Sequence, residues 1–287
     1  MALTADPGAL DARPHPASLL HWRCTAERHW DNTDSLLYAL GVGAGQDDPT
    51  AELRFTTENS AGHPQAALPT FAALLAADPP PLGDPANVRH AEQSLLLHRA
   101  LPVAGVARIT AAVTAVHDQG SGALVRVLSR ISDGHGRPLA TARAGFFVVG
   151  AGGFGGDRAP AAAWPTPAAA PDHEIHYPVP RDQALLYRLS GDRNPLHSDP
   201  TVAVRAGLPQ PLLHGLCTYG YAGRALLHAV AGSDPARLRG LDARFTAPVY
   251  PGTTLTVRIW RRRLGVVFQV VDTTGRVVLD RGAAGVR

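Results

Sequence analysis

Three short segments recur, in the same order, in the two halves of this chain, and that repetition constrains the fold more than any other feature. Leu36-Leu-Tyr-Ala-Leu-Gly41 is echoed by Leu185-Leu-Tyr-Arg-Leu-Ser-Gly191, and Pro102-Val-Ala-Gly105 by Pro248-Val-Tyr-Pro-Gly252. Gly136-Arg-Pro-Leu-Ala-Thr-Ala-Arg-Ala-Gly145 is echoed by Gly275-Arg-Val-Val-Leu-Asp-Arg-Gly282. A single match in an Ala/Gly/Val/Leu-rich chain carries little weight; three in one order indicate a duplicated unit. Between the halves, residues 157–172 hold four Pro and no hydrophobic periodicity, the composition of a linker. The 287 residues therefore divide into 1–156 and 173–287, each of ordinary domain size.

Each half has the same coarse order. A short helix (33–40; 181–189) leads to a longer apolar one, 213–230 in the second half, with a shorter counterpart over 68–77 in the first. Strand-type segments follow: 109–116, 123–131 and 139–149, then 243–245, 254–260, 266–272 and 277–283. Hairpin-type turns join them at Asp118–Gly122, Ser132–Gly136 and Asp272–Gly275. Helix plus consecutive antiparallel strands, twice over, is an α+β architecture in which each sheet curls around its helix.

Composition narrows the function classes. At 45% hydrophobic and 18% charged residues the chain is ordinary globular material. No apolar run reaches the ~20 residues a membrane helix needs, since the longest, 215–232, is broken by Arg224 and His228. The first residues, Met1-Ala-Leu-Thr-Ala-Asp-Pro7, lack a basic patch and apolar stretch, so a cytoplasmic protein without membrane attachment is expected. All 27 basic residues are Arg, which reads as high-GC codon bias in a bacterial gene. They are dispersed apart from Arg261-Arg262-Arg263, so no nucleic-acid partner is expected. Cys24 and Cys217 form no framework, and pairs such as His173/His176 or His90/Glu92 complete no ligand set; no metal and no cofactor are expected.

Two glycine-bearing segments invite chemistry. Gly150-Ala-Gly-Gly-Phe-Gly155 fits G-x-G-x-x-G, but the linker follows where a phosphate-cradling helix should start. It reads as a flexible exit from the first half. Ser190-Gly-Asp-Arg-Asn-Pro-Leu-His197 instead sits between two short helices. Pro195 keeps Asp192 and His197 off one helical face and on a structured turn, where a carboxylate and an imidazole can share a water. The alternative is that Asp192 caps a helix and Asn194-Pro195 is a plain turn. Gly215 opens the long apolar helix, where its free amide at the positive dipole end can hold a developing oxyanion, at ~3 kcal/mol per donor in acyl-transfer sites. Alternatively, its missing side chain serves only close packing.

These residues carry a resemblance. Tyr187-Arg-Leu-Ser-Gly-Asp-Arg-Asn-Pro-Leu-His197 and Leu213-His-Gly-Leu-Cys-Thr-Tyr-Gly220 resemble the motif of MaoC-like enzymes, most closely the (R)-specific 2-enoyl-CoA hydratase 2 type. Leu37–Gly43, Leu68–Phe71, His90–Gln93, Val149–Gly156 and Ala243–Gly252 extend the likeness over nearly the whole chain. The resemblance implies a double hot-dog fold and an acyl-CoA thioester partner, hydrated reversibly at the 2-enoyl double bond. It implies Asp192 and His197 as the water-activating pair, Gly215 as oxyanion amide and Asn194 as support. His90, Ala91, Gln119, Arg193 and Phe245 fall at positions that contact the CoA ester. Gly is usual at Ala91 and Lys at Gln119, and losing that cation should cost about 0.2–1 kcal/mol of phosphate contact. The first half, reading Gly41-Val-Gly-Ala-Gly-Gln46, lacks the Asp and His and is assigned to holding the acyl chain. Hot-dog sheets commonly pair, so a homodimer is expected.

Overall fold

The computed structural model describes residues 15–160, 164, 167–263 and 265–287. Residues 1–14, with the opening segment Met1–Pro7, and 161–163, 165, 166 and 264 lie outside them. The first half runs β1 (Arg23–Trp30), α1 (Asn32–Gly41), α2 (Leu53–Thr56), β2 (Val88–Leu97), β3 (Gly105–Asp118), β4 (Gly122–Asp133) and β5 (Pro138–Val149). The second runs β6 (His173–Pro178), α3 (Gln183–Tyr187), α4 (Pro200–Arg205), α5 (Gly215–Val230), β7 (Leu238–Phe245), β8 (Thr254–Arg262), β9 (Gly265–Val271) and β10 (Val277–Val286).

All ten strands form one antiparallel sheet in the order β1-β3-β4-β5-β2-β7-β10-β9-β8-β6. Taken from either edge inward, the two halves have the same connectivity. They join where β2 pairs with β7, from Glu92↔Arg244 to Leu96↔Gly240. The three recurrent segments fall at matching places: in α1 and α3, before β3 and β8, and at the β4–β5 and β9–β10 turns. Even the turn chemistry repeats. Asp133 Oδ1 accepts from the His135 and Arg137 amides, and Asp272 Oδ1 accepts from those of Thr274 and Arg276. The fold is the α+β double hot-dog.

α5 is apolar nearly all round, the pattern of a helix enclosed on every side, and Cys217 through Leu227 are all buried. It touches the first half closely because Gly220 and Gly223 carry no side chain. A Cβ on Gly220 would lie 2.4 Å from Val42 Cγ1, and one on Gly223 2.4 Å from Thr70 Cγ2. The counterpart helix expected over 68–77 does not form; only a 3-10 turn spans Pro69–Ala73. That segment is packed against α5 and is halted by Pro79-Pro80-Pro81. Its residues Leu68 to Ala73 are buried, with Thr70 against α5, so the first half has one helix fewer than its twin.

Sequence patterning misses β1, β2 and β6. In β2 a bulge between His90 and Glu92 breaks the period of two. β1 and β6 are edge strands with few apolar residues.

An ion cluster ties the halves beneath α5. Glu52 accepts from Arg224 (2.8 and 3.1 Å) and His228 (2.7 Å), while Arg224 also donates to the Val42 carbonyl and lies 4.5 Å from the Tyr177 ring centre. Burial alone would raise the Glu52 carboxyl, but the His228 hydrogen bond and the Arg224 guanidinium hold it down at about 2.

The Gly-rich stretch after β5 is not a loose exit. Asp118 accepts from the amides of Gly153 (2.9 Å), Gly120 (2.8 Å) and Gly155 (2.9 Å), so the loop wraps a carboxylate of its own chain. Those backbone donors lower the Asp118 pKa.

Candidate active site

The turn after α3 is built by its own side chains. Asp192 Oδ1 accepts from the Asn194 amide (3.1 Å), and Asn194 Oδ1 caps the 3-10 turn Pro195–His197 by accepting from Leu196 N (3.0 Å). Capping is thus one job of Asp192 and Asn194, and it fixes the loop geometry. It does not use up Asp192: one ligand atom each of Asp192, His197 and His214 lie within 4.8 Å of one another. Asp192 is exposed towards the opening, while both imidazoles are buried.

His197 Nδ1 lies 2.9 Å from the Leu212 carbonyl. A carbonyl accepts only, so Nδ1 carries the proton and Nε2 keeps its lone pair, the tautomer a base needs. Burial lowers the His197 pKa, with the Asp192 charge pulling the other way. His214 was part of the singled-out run but given no role by sequence; its only signal was its place before Gly215. It stacks on His197 with ring centres 3.7 Å apart and planes 25° apart, and the Tyr187 ring lies tilted against it at 4.9 Å. Its Nε2 donates to the Asp192 carbonyl (3.2 Å), leaving Nδ1 buried without a partner. Burial, then the neighbouring His197, depresses its pKa to about 2. His214 is therefore a neutral platform gripping both the ring and the loop. Although the three side chains have metal-ligand chemistry, stacked rings aim their in-plane lone pairs side by side and not at one point, which suits a cation poorly.

Gly215 begins α5 next to this cluster, and as the first helical residue its N–H has no intrahelical acceptor. A Cβ there would sit 3.2 Å from Phe245 Cε1, so its lack of a side chain also serves packing. Phe245 in turn packs on His90, whose ring lies between it (4.9 Å) and Phe146 (5.0 Å). Desolvation there lowers the His90 pKa to about 4, against the Glu92 carbonyl and Asp192.

Asp192, Arg193, Asn194, His197, Gly215, His90 and Phe245 all line one cavity of about 990 Å³. Ala91 and Gln119 do not line it; Gln119 sits in the β3–β4 turn. Much of the remaining wall comes from the first half, through Trp30, Phe71, residues 73–83, Ser129 and Ala142. Among the described residues no helix is long and apolar enough to cross a membrane.

Three imidazoles with lowered pKa values make stability fall with acid. In the unfolded chain each binds a proton near pH 6.5, but in the fold His90 does so near 4 and His214 near 2. The unfolded state then holds more protons below pH 6.5, so stability is full above that pH and declines as pH drops towards 4. Thermal melts should show Tm falling through this window, with a shallower fall for His214→Phe; a flat profile would contradict the assigned neutral rings.

An Asp/His/His cluster on a large cavity in a duplicated hot-dog sheet defines a double hot-dog protein whose candidate centre, among the described residues, lies in the second half. Two family models match consecutively: MFE-2 hydratase 2 N-terminal domain over residues 29–150, and MaoC like domain over residues 163–283. The chain is 46% identical over 273 residues to 3-hydroxyacyl-thioester dehydratase Y of Mycobacterium tuberculosis, covering 88% of this chain and 92% of that protein. It is 39% identical to enoyl-CoA hydratase ChsH3 of the same organism, over 86% of this chain and 89% of that one. A crystal structure of a MaoC-like dehydratase from Phytophthora capsici superimposes with a TM-score of 0.83 at 32% identity, covering 94% and 97% of the two chains. The chain belongs to the MaoC-like family, in its hydratase 2 branch, and is an enzyme of the hydro-lyase kind.

Proposed function

We propose that this enzyme adds water reversibly to a trans-2-enoyl-CoA thioester, giving the (3R)-3-hydroxyacyl-CoA. The observation that carries the proposal is the convergence of Asp192, the free Nε2 of His197 and the Gly215 amide on one wall of a cavity large enough for an acyl chain. A water held between the carboxylate and His197 Nε2 attacks C3 while one of its protons passes to the pair. The thioester oxygen, gaining charge as the enolate forms, is met by the Gly215 N–H at the positive end of α5. The proton then returns to C2 from the same side, so OH and H add to one face. Asn194 and His214 hold the loop and the ring. His90, Arg193 and Phe245 lie along the wall where the CoA ester enters, with Ala91 and Gln119 further along the nucleotide's path. The first half, lacking its central helix, holds the acyl chain.

Incubation with crotonyl-CoA and decenoyl-CoA should remove the enoyl absorbance without releasing thiol. Thiol release with the enoyl absorbance retained would instead establish a thioesterase and end the hydratase proposal. In the hydration direction His197 must be neutral. Because its pKa is lowered, kcat should stay level down through pH 6.5 and decline only below it. An acid limb centred above pH 7 would contradict His197 as base.

A further inference from the structure

β1 is an edge strand whose inward-facing positions alternate Cys24, Ala26, Arg28 and Trp30. Trp30 is buried, while Ala26 and Cys24 pack against core clusters. Arg28 is thus a cation on the core side of the sheet, set between apolar neighbours, in the half that lacks a central helix. It lines the main cavity together with Trp30, Asp34 and the Leu74–Pro81 segment, all from the first half, whereas Asp192 and His197 line it from the second.

The partners at this end are nearly all committed elsewhere. The Trp30 indole donates to the Pro102 carbonyl, the Asp34 carboxylate accepts from Asp31 N, and His29 pairs with Glu27. Arg28 Nη2 meets Asp78 at 2.7 Å, but the two side chains are 37% and 85% exposed and water competes for the pair. Arg28 Nε is buried and has no hydrogen-bond partner. A buried guanidinium N–H without an acceptor costs free energy unless something supplies one. Arg54, Arg99 and Arg188 also hold a buried Nε without a partner, but none of the three lines this cavity as Arg28 does.

Resting on the hydratase proposal, we infer that Arg28 is a specificity determinant: the cavity accepts acyl chains carrying an oxygen acceptor, best a carboxylate, at the end remote from the thioester. The planar fork of Arg28 can take such a group with Nε and one Nη nitrogen, displacing Asp78 into solvent, as a planar carboxylate and guanidinium pair naturally. A methyl-ended chain leaves Nε unsatisfied.

The test compares trans-2-enoyl-CoA esters of equal length ending in methyl, hydroxyl or carboxylate, over a series of chain lengths. At the length that spans the cavity, kcat/KM should favour the carboxylate ester by at least ~10-fold over the methyl ester, with the hydroxyl ester between them. Arg28→Leu should abolish or invert that ratio. Asp78→Asn, a change at an exposed site, should raise it by removing the competing anion. Calorimetry with the saturated carboxylate- and methyl-ended acyl-CoA esters reads the same ratio as relative affinity without turnover. A wild-type ratio at or below one at every length, or a ratio unchanged by Arg28→Leu, overturns the inference. Failure of wild type to hydrate crotonyl-CoA overturns the hydratase proposal separately, and the calorimetric ratio still decides the role of Arg28.

Discussion

Asp192→Asn is expected to lower kcat by at least ~10²-fold while leaving the fold intact. Asparagine keeps the side-chain oxygen that accepts from Asn194 N, so the turn and its cap survive. What it loses is the negative charge and one acceptor oxygen of the carboxylate beside His197, which the proposed reaction uses to hold water. Asp192 is exposed and bears no packing load, so the melting temperature should stay within about 2 °C, well inside the range of surface substitutions. His197→Ala should cost as much in kcat, by removing the imidazole whose free Nε2 is proposed to take the water's proton. A pair that acts as a unit, as proposed, makes the double variant little worse than either single one. Steady-state kinetics with crotonyl-CoA, beside thermal melts, decide it: near wild-type turnover in either single variant would mean that the reaction is run by other groups.

The second large effect concerns stability. Glu52→Ala removes the carboxylate that satisfies Arg224 and His228 at once, and Arg224 is only 5% exposed. Stripping one partner from a buried pair leaves an uncompensated charge, which costs roughly 3–5 kcal/mol. For a chain of this size that is a fall in Tm on the order of 10 °C. Replacing both partners by apolar residues should recover part of the loss, because the stranded charge disappears with its mate. Melts of Glu52→Ala, Arg224→Leu and the double variant form the cycle. A single-variant shift below about 2 °C, or a double variant equal to the sum, would show that the cluster does not clamp the halves.

How much was legible in the sequence varies with the range of the interaction. α1, α5 and the β3–β5 and β8–β10 hairpins follow from local periodicity and from the Asp…Gly-Arg turns, whose hydrogen bonds lie within five residues. β2 was hidden because a bulge at His90–Glu92 spoils its alternation, and β1 because Arg28 occupies an inward position. The helix expected over 68–77 was lost because burial of that segment against α5 outweighs the preference of its Ala and Leu residues. Residues 73–83, from the same stretch, line the cavity. Ala91 and Gln119, assigned by resemblance alone, lie off its wall.

The sequence by itself determined the duplication and, through its resemblance, the hot-dog class, and it singled out Asp192, His197 and Gly215 as candidates, because these rest on short runs whose order survives in one dimension. Only the tertiary structure decided that His214 stacks on His197 and that Arg28 lines the same cavity. It also decided that Asp118 occupies the glycine loop. Each of those depends on residues brought together across the β2–β7 seam, around α5 or between distant turns. No local pattern encodes such meetings; the physical reason is that they are fixed by packing of the whole duplicated sheet, not by the propensities of the residues that meet.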